Sequence, residues 1–74
     1  MNKNHLELPI WHTTDGKIIA CTEKIKVMRE NMEELNQSLV DAFEDAILMD
    51  IDPIQVKNFL IQMMQNLDNP YESN

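Results

Sequence analysis

One cysteine, one glycine and four aromatic residues are all that this 74-residue chain holds of the residue types that do much of the chemistry of small domains. Cys21 alone excludes a disulfide within the monomer, and an unpaired cysteine fits a reducing cytosol better than a secreted scaffold. Gly16 alone excludes a glycine-rich loop that would wrap a phosphate in backbone N–H groups. No apolar run approaches bilayer length. The start Met1-Asn2-Lys3-Asn4-His5-Leu6-Glu7 is polar and lacks the apolar stretch of a secretory signal, so the expectation is a soluble, cytoplasmic protein that does not bind membranes. At this length one hydrophobic core seldom supplies more than about 3–5 kcal/mol, so a single domain over residues 1–74 is expected to need help from oligomerisation.

The formal charge of −7 is unevenly distributed. Residues 1–24 balance, with Lys3, Lys17 and Lys24 against Glu7, Asp15 and Glu23. Residues 25–50 set Lys26 and Arg29 against Glu30, Glu33, Glu34, Asp41, Glu44, Asp45 and Asp50. A field of that sign repels phosphate backbones and anionic lipid, so neither nucleic acid nor membrane is an expected partner, whereas a basic protein is permitted. The acidic face Glu30, Glu33, Glu34, Asp41, Glu44 and Asp45 also serves as a solvated surface that keeps a small oligomer in solution.

What the chain does have is helical periodicity. Ile25, Met28, Met32, Leu35, Leu39, Ala42, Ala46 and Met49 recur at three-four spacing through a stretch free of proline and glycine, which predicts a long helix over about 22–50. Thr22 is the expected N-cap, with Glu23 just inside it. Val40, Phe43 and Ile47 widen the apolar face in the second half. Asp52-Pro53 with Gln55 marks a second start, since aspartate caps, proline suits the first helical position and glutamine completes a capping box. That helix is predicted over about 53–67, before Asp68-Asn69-Pro70 stops it and a tail over 68–74 follows. Ahead of both helices, Asp15-Gly16 lies between short runs containing Ile10 and Ile18-Ile19, a turn signal that predicts an arm or a small β-hairpin within residues 1–21.

The fold expected is therefore mainly α: an antiparallel helical hairpin with an amino-terminal arm, dimerising into a four-helix bundle. A helix over 53–67 reaches only about 22 Å back along a partner of about 42 Å, so the Ile25–Leu35 part of the seam is left without cover from it. Val56, Phe59, Leu60, Met63 and Leu67 form one broad face of the short helix, with Ile54 and Ile61 away from it and Met64 between. Such a helix belongs inside a bundle. Trp11, Ile25, Met28, Met32, Leu35, Ile54, Ile61 and Met64 are the candidate oligomer or partner interface. The competing arrangement is a monomer in which the arm folds over Ile25–Leu35.

Candidates for chemistry are few. His5, His12 and Cys21 are separated by seven and nine residues, which matches no compact zinc pattern, so no metal or cofactor is expected. Cys21 at a helix start has the setting for a lowered pKa, but no base or oxyanion donor accompanies it, and a small buried cap is its simpler role. Glu30, Glu33 and Glu34 lack the Glu-x-x-His pairs of a di-iron bundle. Met28 and Met32 suit either an adaptable helix-binding groove or loose core packing. No catalytic residue is assigned. Three readings follow: a homodimeric adaptor or regulatory module without enzymatic activity, an acidic inhibitor or nucleic-acid mimic for a basic cleft, and a metal-binding protein using His12 and Cys21.

Overall fold

The computed structural model describes residues 6–72, and among them it is mainly helical, with two helices and no strand. Helix α1 spans Thr22–Leu48 and helix α2 spans Pro53–Gln65. These 27 and 13 residues correspond to rods of about 40 and 20 Å. Both helices end about two residues earlier than their periodicity predicts, because Met49-Asp50 and Asn66 are occupied by closing turns.

The boundaries have identifiable causes. The carbonyl of Cys21 accepts the first helical bond, from Ile25 N–H at 3.1 Å, so the capping position falls on Cys21 and Thr22 is already helical. That moves the expected N-cap by one residue. Asp52 caps α2 as expected: its Oδ1 accepts from Ile54 N–H at 2.9 Å, and Pro53 occupies the first position, where no N–H is needed.

Between the helices the chain turns on Asp50, whose φ of 60° is in the left-handed region. Asp50 N–H donates to Ile47 O at 3.0 Å and Ile51 N–H donates to Ala46 O at 2.9 Å, the paired bonds of a left-handed helix stop in which two final carbonyls are satisfied. Glycine is the usual residue there, because any Cβ is crowded in that conformation.

The chain divides into two compact units, Met1–Asp41 and Ala42–Asn74. In the first, a turn around Asp15-Gly16 is closed by Thr13 N–H to Lys17 O at 2.8 Å and Gly16 N–H to Thr13 O at 3.0 Å. Gly16 has φ of 90°, which explains the glycine. The expected hairpin does not develop into strands: pairing amounts to one antiparallel bridge between His12 and Ile18, flanked by Ile19 N–H to Trp11 O at 2.9 Å. Flanks of three or four residues are too short to sustain a two-stranded ribbon. Thr13 Oγ1 bonds to Asp15 Oδ1 and accepts from Lys17 N–H, so side chains hold the turn where a ladder is lacking.

In the second unit the end of α1 and the start of α2 meet. Lys57 Nζ lies 5.4 Å from the centre of the Phe43 ring, a contact that requires the chain to double back after Leu48, consistent with a helical hairpin. Ala46, 5% exposed, is the only buried residue among those described. Beyond α2, Asn69 O accepts from Glu72 N–H at 3.2 Å and Asn69 Oδ1 accepts from Tyr71 N–H at 2.8 Å, so Asn69-Pro70 forms a separate turn after the helix has closed at Asn66.

Candidate interaction surfaces

Among the described residues, the eight candidate interface residues separate into two groups. Trp11, Ile25, Met28 and Met32 are half-buried in the first unit, while Leu35 is 51% exposed. Ile19 comes against α1 there, lining with Glu23, Lys24, Val27 and Met28 an open hollow of about 410 Å³. The start of the seam is thus partly covered from within its own unit. Leu6, Leu8 and Ile19 of the irregular segment are half-buried as well, an arrangement that the helix lengths alone do not reveal.

The second group lies on α2, where Ile54, Ile61 and Met64 are 67, 47 and 56% exposed. Phe59, Met63 and Leu67 are exposed too, and of the broad face expected for this helix only Val56 and Leu60 are half-buried. One helix can cover one stripe of its neighbour, and this neighbour's apolar arc is wider than a stripe. On α1, Ile47 is 52% exposed; its spacing puts it on the widened half of the seam, outside the eight candidate interface residues. The signal that would have singled it out is its position one turn after Phe43, the residue that Lys57 meets.

The acidic candidates Glu30, Glu33, Glu34, Asp41, Glu44 and Asp45 are all exposed. Asp41 Oδ1 accepts from Gln37 Nε2 at 2.9 Å, one helical turn away. Their positions along α1, three, four or seven residues apart, place these exposed carboxylates on one side of the helix.

The candidates for chemistry do not converge. His12 is exposed on the turn, His5 lies outside the described residues, and no group of three or more His, Cys, Asp or Glu among the described residues is placed to hold a metal ion. Cys21 is exposed, not the buried cap that its neighbours suggest. Its thiol pKa is lowered, first by the backbone N–H of Lys24 and then by that of Glu23, with the Lys24 charge assisting and desolvation opposing. The sulfur thus takes the acceptor role at the helix start that a Ser or Thr hydroxyl ordinarily fills, and bonds to those N–H groups favour the thiolate. No helix among the described residues is long and apolar enough to cross a membrane. Comparison with known protein families, with curated proteins and with solved structures gives no match for this chain.

Proposed function

We propose that this chain is a small helical interaction protein that works by self-association, an adaptor or regulatory module with no catalytic step of its own. The observation that carries the reading is the imbalance between covered and uncovered apolar surface. Ala46 alone is buried among the described residues, while fifteen large hydrophobic side chains are exposed. A monomer that leaves so much apolar surface in water forgoes about 25 cal/mol for each Å² it could bury. Monomeric proteins rarely tolerate contiguous apolar patches beyond a few hundred Å². A homodimer contributing four helices is the simplest assembly that covers them, since closed two-fold assemblies are the commonest. The lone, exposed Cys21 agrees with a reducing, cytoplasmic setting. Sedimentation velocity across a hundredfold concentration range tests the reading. It expects a mass near twice 8.7 kDa at the upper end, and a constant monomer mass throughout would overturn it.

A second reading is favoured by a different observation, the exposed acidic strip Glu30, Glu33, Glu34, Asp41, Glu44 and Asp45. On that reading the chain occupies the basic cleft of a partner protein as an inhibitor or nucleic-acid mimic. Binding would then weaken steeply with added salt. Joint reversal of Glu33 and Glu34 to Lys would weaken it further, and partner binding indifferent to both changes would rule the mimic out.

A further inference from the structure

We infer that Asp15-Gly16 is a site of spontaneous covalent modification, isomerisation of Asp15 to isoaspartate, and that Thr13 holds this site closed in the folded chain.

The chemistry starts from the sequence. Isomerisation requires the backbone nitrogen of the following residue to attack the aspartate Cγ, so it goes most easily where that residue has no side chain to obstruct the approach. Gly16 is the only glycine, and it follows Asp15. The other aspartates precede Ala, Ile, Pro or Asn, and no asparagine precedes a glycine, so the chain has a single step of this kind. In the reaction the Gly16 nitrogen bonds to Asp15 Cγ, while the protonated carboxyl gives up its hydroxyl and the amide its hydrogen, which leave together as water. The ring that results opens when water adds back. Addition at Cγ restores aspartate, whereas addition at the main-chain carbonyl of Asp15 breaks the bond from that carbonyl to the Gly16 nitrogen and leaves Gly16 attached through the side chain. No oxidant, reductant or cofactor enters.

The structure gives the site access but withholds reach. Asp15 and Gly16 are exposed, and no atom lies within 4 Å of where a Cβ on Gly16 would stand. Both reacting groups are nevertheless engaged elsewhere. The nucleophile is held in the turn, because Gly16 N–H donates to Thr13 O at 3.0 Å. On the electrophile, Asp15 Oδ1 accepts from Thr13 Oγ1, and Oδ2 faces Lys17 Nζ at 4.0 Å. The lysine contact is a solvent-exposed ion pair and adds little. Thr13 therefore restrains the nitrogen through its carbonyl and the carboxyl through its hydroxyl, and the same hydroxyl accepts from Lys17 N–H at 3.0 Å. Ring closure has to break these bonds, so its rate in the folded chain is set by how often the turn opens.

The modification bears on the first unit as a whole. Isoaspartate lengthens the main chain between Asp15 and Gly16 by a methylene group, and the bonds from Thr13 N–H to Lys17 O and from Ile19 N–H to Trp11 O bracket that point. The extra atom shifts them out of register. Ile19 is the residue that comes beside Val27 and Met28 of α1, so the change reaches the cover over the start of the seam.

The test is incubation of the full-length protein at neutral pH, with isoaspartate at position 15 read by peptide mapping and electron-transfer fragmentation. The unsubstituted protein is expected to accumulate it at least about tenfold faster in guanidinium chloride than folded in buffer. In buffer, Thr13→Val, which keeps the branched shape and loses the hydroxyl, is expected to react about fivefold faster than the parent, and Thr13→Ser, which keeps the hydroxyl, within about twofold of it. All three proteins are expected to react alike in denaturant, where no turn is left to guard. Absence of isoaspartate at position 15 even in denaturant overturns the site. Equal rates for the folded and denatured parent, or a Thr13→Val variant that reacts no faster than the parent in buffer, overturn the guarding role of Thr13.

Discussion

The two units handle apolar surface in opposite ways. In residues 6–41 most large apolar groups are half-buried, including Leu6, Leu8, Trp11, Ile19, Ile25, Met28 and Met32, although the segment ahead of α1 holds only one bridge and one turn. In residues 42–72 the regular structure is better formed and contains the one buried residue, yet eleven of the fifteen exposed large hydrophobics lie there. The difference follows from geometry. An irregular chain can bend along a narrow helical seam, whereas two rigid helices touch along one line and leave wide apolar arcs uncovered on both sides. Regular secondary structure and coverage of apolar surface are thus separate achievements in this chain.

The sharpest way to break the comparison is to attack the one buried position among the described residues. Ala46→Asp buries an unpaired carboxylate and is expected to cost about 3 kcal/mol or more. Helical circular dichroism in denaturant should report the loss, while Trp11 fluorescence, which reads only the first unit, should move much less. A coincident change of both signals would mean that the units unfold together.

Gly16→Ala makes the reciprocal attack on the first unit. No atom lies within 4 Å of where the new Cβ would stand, so the cost is backbone conformation alone, about 1–2 kcal/mol for a positive φ. Here Trp11 fluorescence should respond first and the α2 amides least, which hydrogen exchange can follow residue by residue.

Two neighbouring aspartates in the second unit should respond with opposite signs. Asp52→Ala removes the side chain that accepts from Ile54 N–H and is expected to destabilise by about 1 kcal/mol. Asp50→Gly relieves a left-handed residue at the helix stop and is expected to stabilise by about 0.5–1 kcal/mol, raising the thermal midpoint. Equal signs in thermal denaturation would contradict the capping geometry.

The smallest effect belongs to Cys21. Its folded pKa is below the unfolded value, so the stabilising bonds to the thiolate are present above the unfolded pKa and are lost as pH falls through the folded one. Alkylation by iodoacetamide as a function of pH should therefore show a lower midpoint for the native protein than for the same protein in denaturant. Identical midpoints would mean that the sulfur does not accept from the helix start.

Local features were readable from the residues because they depend on near neighbours. Asp52-Pro53 announces α2, since capping and the fixed φ of proline act within one turn, and the three-four spacing announces α1. Gly16 announces its turn for the same reason. The helix ends were less accurately placed: Asp50 in a left-handed stop, with neither glycine nor asparagine present, has no strong sequence signal. The cap at Cys21 instead of Thr22 carries no sequence signal, because a thiol is an uncommon N-terminal acceptor.

By itself, then, the sequence determined that the chain is mainly helical, where each helix begins to within a residue, and that it carries more apolar surface than two short rods can hide. Only the tertiary structure decided which part of that surface is covered. Whether Ile19 comes beside Val27 and Met28, or Lys57 crosses to Phe43, depends on how the chain turns between separate segments, which no single-helix propensity encodes. Those contacts shelter the start of the long seam and leave Ile47, Ile54, Ile61 and Met64 open to water.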